Sequence, residues 1–448
     1  MRLPKPILAV LDRFRPEFRQ PTWGRVLQLL TGTLLARGRR TVSSALRALG
    51  RGDQPGWQRF HDVFARASWS PLRLARRLLG MLIAAFAPRG GLVIVLDETL
   101  ERRRGRKITK RSHHRDAIAS SKKIAVLASG LRWVVTALVV PIPWAGRLWA
   151  LPFLSQLAPS RKTDTKQKRQ HKTIAQRARQ VVCLMRRWLP GTELTVLGDT
   201  AYSVIALGRS CQKRRVRLIA PLWWKACLHQ PPPEPTKGRR GRRPKVGPAL
   251  AKLGAVLADP MTEWQSADIA WPDGTTRRLE LASGTALWKQ SGEPALPIRW
   301  VLSRDPAGGW EARAFFSTEP TDPAESIVTR FAQRWTIEVT FEEARAHLGV
   351  ETQRQWCDRS IERQTPCLLG LYSVVALVTQ ALSTATEVPR QMTAWYHKST
   401  ATFADGLALV RRQLWEVEDY CKPENDPRFA TIRRTDLERL TNAVCYNH

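Results

Sequence analysis

The sequence predicts an α/β fold: a mixed sheet with helices, interrupted by a β-rich insertion, preceded by a helical domain and followed by a helical tail. Three observations predict it. Apolar residues recur at helical spacing over the first 85 positions, strand-length apolar runs begin after Gly91, and helical periodicity returns at Ala324. At 448 residues the chain is too long for one ordinary domain and long enough to bury a sizeable core.

In order along the chain, residues 1–85 read as helical, with Leu27, Leu30, Leu34 and Leu46 set among arginines. Trp57, Phe60 and Phe64 fall on one helical face, a pattern assigned to packing. Residues 86–222 form the first part of the core. Leu92 to Leu96 is a continuous apolar run too short for a helix, ending at Asp97 as a buried central strand would. A basic loop follows, from Arg102 to Lys107 and including Arg104. Strands are expected at Ile124–Ala128 and Trp133–Pro141, and three strands before any helix suggest an antiparallel meander. A long basic helix over 165–188 is stopped by Pro190 and Gly191. The strand Glu193–Gly198 then delivers Asp199 at its end, before a short helix and the strand Val216–Ala220.

Residues 223–320 are the expected β-rich insertion subdomain. Its first part, 230–247, is rich in Pro and then in Lys and Arg, and reads as a basic loop, mobile or ordered on binding. Short segments from Trp264 to Phe316 then alternate as strands, joined by Asp-Gly and Gly-Gly turns. Residues 321–385 complete the core with helices, and 386–448 form a helical tail. There is no internal repeat.

Charge narrows the function. Lys and Arg number 73 against 38 Asp and Glu, a net +35, which calls for a polyanionic partner, nucleic acid first. A membrane surface is the competitor, but the cations are spread from Arg2 to Arg439, no unbroken apolar run is long enough to span a bilayer, and the N-terminus lacks a signal-peptide core. Seven scattered cysteines without a Cys-x-x-Cys pair suggest neither a disulfide framework nor a zinc site, and point to the reducing cytoplasm. His113 and His114 are adjacent but lack metal-ligand spacing, so they read as loop histidines.

Two aspartates delivered by strands of one sheet are what a pair of divalent cations requires. Hard oxygen ligands hold the ions roughly 4 Å apart, so that they clamp the attacking and leaving oxygens of a phosphoryl transfer. A third carboxylate is offered by the segment Phe331 to Arg345. On a continuous helix Phe331, Arg334, Glu338 and Arg345 share one face, with Ile337, Phe341 and Leu348 as the neighbouring apolar stripe. Arg334 and Arg345 flank Glu338 as neutralisers of phosphate. The plainer alternative is a surface helix in which Arg334 simply pairs with Glu338.

This spacing, an aromatic, two residues, Arg, three residues, Glu, six residues, a cation, resembles the Tyr-Arg-Glu-Lys signature of bacterial insertion-sequence transposases with a DDE active site. Asp97-Glu98-Thr99 and Gly198-Asp199-Thr200-Ala201-Tyr202 resemble the motifs around the family's two aspartates, and the resemblance spans about residues 20 to 385. Phe331 stands where the family has Tyr, and Arg345 where it has Lys. The resemblance implies an RNase H-like catalytic core in which Asp97, Asp199 and Glu338 bind two divalent cations, Mg2+ or Mn2+. It also implies cleavage of double-stranded DNA at the element's terminal inverted repeats, strand transfer into target DNA, and a homodimer on DNA in the bacterial cytoplasm. Such enzymes carry an aromatic that stacks on a flipped base; Trp310 and Trp335 are the candidates, with hairpin packing the plainer role for Trp310. Two other readings stay open: a transposase-derived DNA-binding regulator that does not cut, and a two-metal nuclease without strand joining.

Overall fold

The computed structural model describes residues 3–116, 119–120, 124–234, 244–395, 397–416 and 433–446. Most of the basic stretch after Pro235, including Lys237 to Arg243, lies outside the described residues. Five helices open the chain: α1 (Lys5–Leu11), α2 (Gln20–Leu35), α3 (Val42–Ala48), α4 (Gln58–Ala65) and α5 (Pro71–Phe86). The amphipathic pattern expected there holds, since Leu34, Leu46 and Phe60 are buried. Trp57 departs from it: it precedes α4 rather than lying within it, and it is 47% exposed.

The core strands follow as β1 (Leu92–Arg102), β2 (Ser112–Arg115), β3 (Leu127–Ile142) and β4 (Arg147–Leu157). β1 pairs antiparallel with β3, and β3 with β4, so the meander is present. Three expectations are corrected. Asp97 does not end β1 but lies in its middle, because β3 supports the strand as far as the Arg102–Gly130 pair. The segments expected as two strands, from Ile124 and from Trp133, contribute to one strand that starts only at Leu127. β4 is additional: Pro152 argues against a strand, but the register shifts between Thr136 and Ala137, so Phe153 bulges out and the proline is tolerated there.

The expected basic helix is two, α6 (Arg161–Lys166) and α7 (Ile174–Trp188). The break is local: Thr173 begins α7 with a capping box, its hydroxyl accepting from the Gln176 amide while the Gln176 side chain accepts from the Thr173 amide. Then come β5 (Leu194–Gly198), α8 (Ile205–Gln212) and β6 (Val216–Pro221), with β5 parallel to both β1 and β6. The insertion contributes β7 (Cys227–His229), α9 (Leu253–Ala258), β8 (Gln265–Ala270), β9 (Thr276–Lys289), β10 (Leu296–Arg304) and β11 (Arg313–Ser317). Its strands prolong the core sheet, because β11 pairs antiparallel with β6. One sheet therefore runs β2-β3-β1-β5-β6-β11-β10-β9-β7, with β4 beside β3 and β8 beside β9.

Helices cover both faces. On one, α5, α7 and α8 pack with Ile94 and Leu96; on the other, α10 (Ala324–Ala332) and α11 (Thr336–Leu348) pack with Val95 and Leu197. The molecule is thus a mixed α/β sheet between helical layers. The helix expected to run on from Ala324 is interrupted by a 3-10 turn at Gln333–Trp335 and ended by Gly349 in a left-handed conformation. α12 (Asp358–Leu382) is long and apolar enough to cross a bilayer, but 72% of its most apolar stretch is buried within the protein. In the tail, α13 (Phe403–Glu416) packs on α12 and buries Phe403 and Val410, and α14 (Arg434–Tyr446) packs on α13.

Candidate active site

The site is assembled where β5 leaves β1. Leu96 is paired with Gly198, the last residue of β5, so Asp97 and Asp199 follow on adjacent strands. Neighbouring strands lie about 4.8 Å apart, and the two carboxylates feel each other's charge. Beyond this point β1 keeps only its β3 partner, leaving one edge of the strand open next to Asp97. Asp199 turns the chain: its Oδ1 accepts from the Ala201 amide at 2.9 Å and caps a short 3-10 turn. Gly198 is required there, because a Cβ would stand 2.6 Å from the Cβ of Tyr202, whose ring folds back over the strand end.

Strand alternation puts Asp97 on the face covered by α11, and α11 together with the 3-10 turn before it supplies the rest. Arg334 donates from one guanidinium nitrogen to Asp97 Oδ2 at 2.6 Å and from another to Glu338 Oε1 at 2.7 Å. The i, i+4 pair of the plainer sequence alternative therefore exists, but it is joined to Asp97 rather than standing alone on a surface. Asp97 is buried and Glu338 half-exposed. Asp97 Oδ1 also accepts from the Glu98 amide at 2.7 Å. Burial pushes the Asp97 carboxyl up to about 7 against the pull of Arg334, with the charges of Asp199 and Glu338 adding to the rise.

The other proposed residues separate into groups. Phe331 is buried, its ring 4.6 Å from that of Phe315 and beneath the Arg334 guanidinium, which lies 5.7 Å from its centre. Arg345 reaches back to Thr99 on β1 and to Glu351 at 3.0 Å, so its charge is already met. Arg104 and Lys107 are exposed on the loop after β1, Lys107 over the ring of Trp356. Trp310 and Trp335 form a half-buried cluster with Trp271, their rings about 5 Å apart, and Arg313 covers Trp310.

Sequence reasoning missed several neighbours. Glu98 faces the opposite side of β1 from Asp97, pairs with Arg132 at 2.6 Å, and its carboxyl is raised chiefly by burial. The Tyr202 hydroxyl is fully buried without a partner, within the field of Glu98, Asp97 and Asp199. Trp223 is 54% exposed and donates to the carbonyl of Ser203, four residues from Asp199, with Trp224 beside it also exposed. The adjacent tryptophans directly after β6 were the signal available for the last of these.

The sequence profile described as DDE superfamily endonuclease matches residues 13–286, more than half of the chain and inclusive of Asp97 and Asp199. The chain belongs to the DDE endonuclease superfamily. Glu338 lies beyond the matched segment, so its place in the site rests on its contact with Arg334. Among solved structures, the chain is similar to a piggyBac transposase synaptic complex with hairpin DNA, at 10% identity and a TM-score of 0.45, covering 97% of this chain and 88% of that one. No curated protein matches.

Members of this superfamily generally use divalent metal ions. The donors here suit that use in kind: they are carboxylate oxygens, and burial together with the neighbouring carboxylates raises the Asp97 carboxyl despite its arginine partner, a charge a cation would offset. Among the described residues no three carboxylate, His or Cys side chains are gathered for ligation, and Arg334 takes one oxygen from each of Asp97 and Glu338. Glu338 is half-exposed on α11 and has room to turn.

Proposed function

We propose that this DDE endonuclease is the transposase of a bacterial insertion sequence, cutting double-stranded DNA at the element's terminal inverted repeats and transferring the freed strand into target DNA. The observation that carries the reading is the placement of Asp97 in β1 beside the end of parallel β5, which Asp199 follows, with Glu338 linked to Asp97 through Arg334. The net charge of +35 supports DNA as the partner. Asp97, Asp199 and Glu338 would hold two divalent cations, Mg2+ or Mn2+. When bound, such ions activate water and stabilise charge on the attacked phosphate.

The chain's own residues have separable tasks. Asp97 and Asp199 are fixed by backbone amides, so their carboxylates keep their orientation as DNA enters. Arg334 holds α11 against β1 and supplies positive charge beside the scissile phosphate. Arg104 and Lys107 contact the phosphate backbone from the loop after β1. Each copy acts on one element end, as a homodimer on paired ends in the bacterial cytoplasm.

A second reading has one observation in its favour. Arg334 occupies both Asp97 and Glu338, as it would in a DNA-binding regulator that never loads metal. The separating experiment is magnesium-dependent cleavage of DNA carrying the flanking element ends, comparing the intact protein with Asp199→Ala. Cleavage at the ends that leaves 3′-hydroxyls or hairpins and joins them to a second duplex, lost in Asp199→Ala, supports the transposase. Tight binding without cutting in either protein supports the regulator, and cutting without joining supports a nuclease.

A further inference from the structure

On the sheet face opposite α11, a groove of about 540 Å³ runs along α7. Its lining includes His171, Lys172, Arg179, Arg187 and Arg214. Aliphatic residues of α7, Ala178, Val181, Val182 and Met185, are buried in the core, which turns Gln176, Arg179, Gln180, Cys183 and Arg187 outward along one stripe. Among the described residues no carboxylate lines the groove, and α7 itself contains none. Lys172, Arg179 and Arg187 form no ion pair among the described residues, and Arg214 is spent on the Ser210 carbonyl and hydroxyl. Only His171 has an acidic partner, Asp164 at 2.8 Å. Holding like charges together without acids costs energy that a bound anion recovers.

We infer that the α7 groove is a second DNA-contacting surface, which grips the sugar-phosphate backbone of duplex DNA outside the carboxylate site without reading its sequence. Length and chemistry favour a duplex over a small anion. Gln176 to Arg187 covers about 16 Å at 1.5 Å per residue, a span over which a duplex presents roughly ten phosphates. Cations separated along such a stripe meet successive phosphates rather than converging on one. The glutamines add neutral donors suited to phosphate oxygens. The inference rests on DNA being the partner, as proposed above, but not on cleavage.

The test uses the full chain and a mixed-sequence DNA duplex, since a backbone grip needs no element end. Two readouts are taken. In the first, the combined Lys172→Gln, Arg179→Gln and Arg187→Gln variant is compared with the parent for the dependence of binding on salt. All three residues are exposed, so folding is expected to be unaffected, and thermal unfolding checks this. The expected result is weaker binding with a log-log salt slope shallower by about 2 to 3, at roughly 0.9 for each phosphate no longer neutralised. In the second, alkylation of Cys183 in the groove floor is followed by peptide mass spectrometry in the parent protein. Bound duplex should slow it severalfold. An unchanged salt slope, or Cys183 that reacts equally fast in DNA-saturated protein, overturns the inference; so does an A-form RNA duplex that binds more tightly and protects Cys183 better. Because neither readout involves cutting, a protein that fails to cleave but shows both effects refutes the transposase reading and leaves the groove standing.

Discussion

At the scale of the residue, the site is an unfinished charge balance. Burial outweighs the Arg334 contact at Asp97, leaving the carboxyl with a raised pKa of about 7. A raised folded-state pKa means that the folded protein binds this proton more tightly than the unfolded chain does. Its stabilising contribution is therefore full below the ordinary carboxylate range near 3.8 and is lost as pH rises through about 7. In metal-free protein, Asp97→Asn should raise stability at pH 8 by on the order of 2 kcal/mol, and the difference should vanish near pH 4 in paired denaturant unfolding curves. Equal stability at both pH values would show that the carboxylate is not under this strain. Arg334→Gln tests the same balance from the cation's side. It leaves Asp97 and Glu338 without their shared partner, so metal-free stability should fall by about 1 to 3 kcal/mol, and added Mn2+ should recover more stability in the variant than in the parent. A variant that unfolds like the parent with and without Mn2+ would mean that Arg334 does not hold the acids.

At the scale of the element, two local features position the carboxylates. The first is the Gly198–Tyr202 contact at the end of β5. Gly198→Ala would force a Cβ into the Tyr202 side chain and displace the turn that carries Asp199. Overpacking of this kind costs about 1 to 3 kcal/mol, and the predicted outcome is that loss together with a larger loss of activity than stability, read by unfolding and DNA cleavage in parallel. The second is the break between α10 and α11. The arc of Phe331, Arg334, Glu338 and Arg345 was legible as spacing, and the structure joins its Arg334 to both Glu338 and Asp97. Phe331 lies beneath the Arg334 guanidinium, but the continuous helix that periodicity assumes is interrupted by a 3-10 turn that nothing in Gln333-Arg334-Trp335 announces. The capping box at Thr173 is equally open to inspection, but a run of basic residues masks the boundary between α6 and α7.

At the scale of the whole molecule, sequence periodicity locates the strands that matter and misjudges their extent. β1 is recognisable from Leu92–Leu96, but its second half carries Asp97, Glu98, Glu101 and Arg102, a polar continuation that the long β3 partner supports. β4 escapes notice because a bulge accommodates Pro152, a pairing feature with no local mark. The insertion strands are recognisable, yet their addition to the core sheet through β11 and β6 depends on pairing between strands far apart in the chain. Asp97, Asp199 and Glu338 each carry a motif, whereas Glu98, Tyr202 and Trp223 become neighbours only through strand alternation and chain reversal.

The most direct measurement is Mn2+ binding to the full chain by electron paramagnetic resonance, in the parent and in Asp97→Ala, Asp199→Ala and Glu338→Ala. A shared carboxylate site predicts two ions bound by the parent and sharply weaker binding in each variant, with Asp97 and Asp199 costing most because their backbone contacts fix their orientation. Parent-like Mn2+ binding in all three variants would contradict it, and would place any metal elsewhere in the protein.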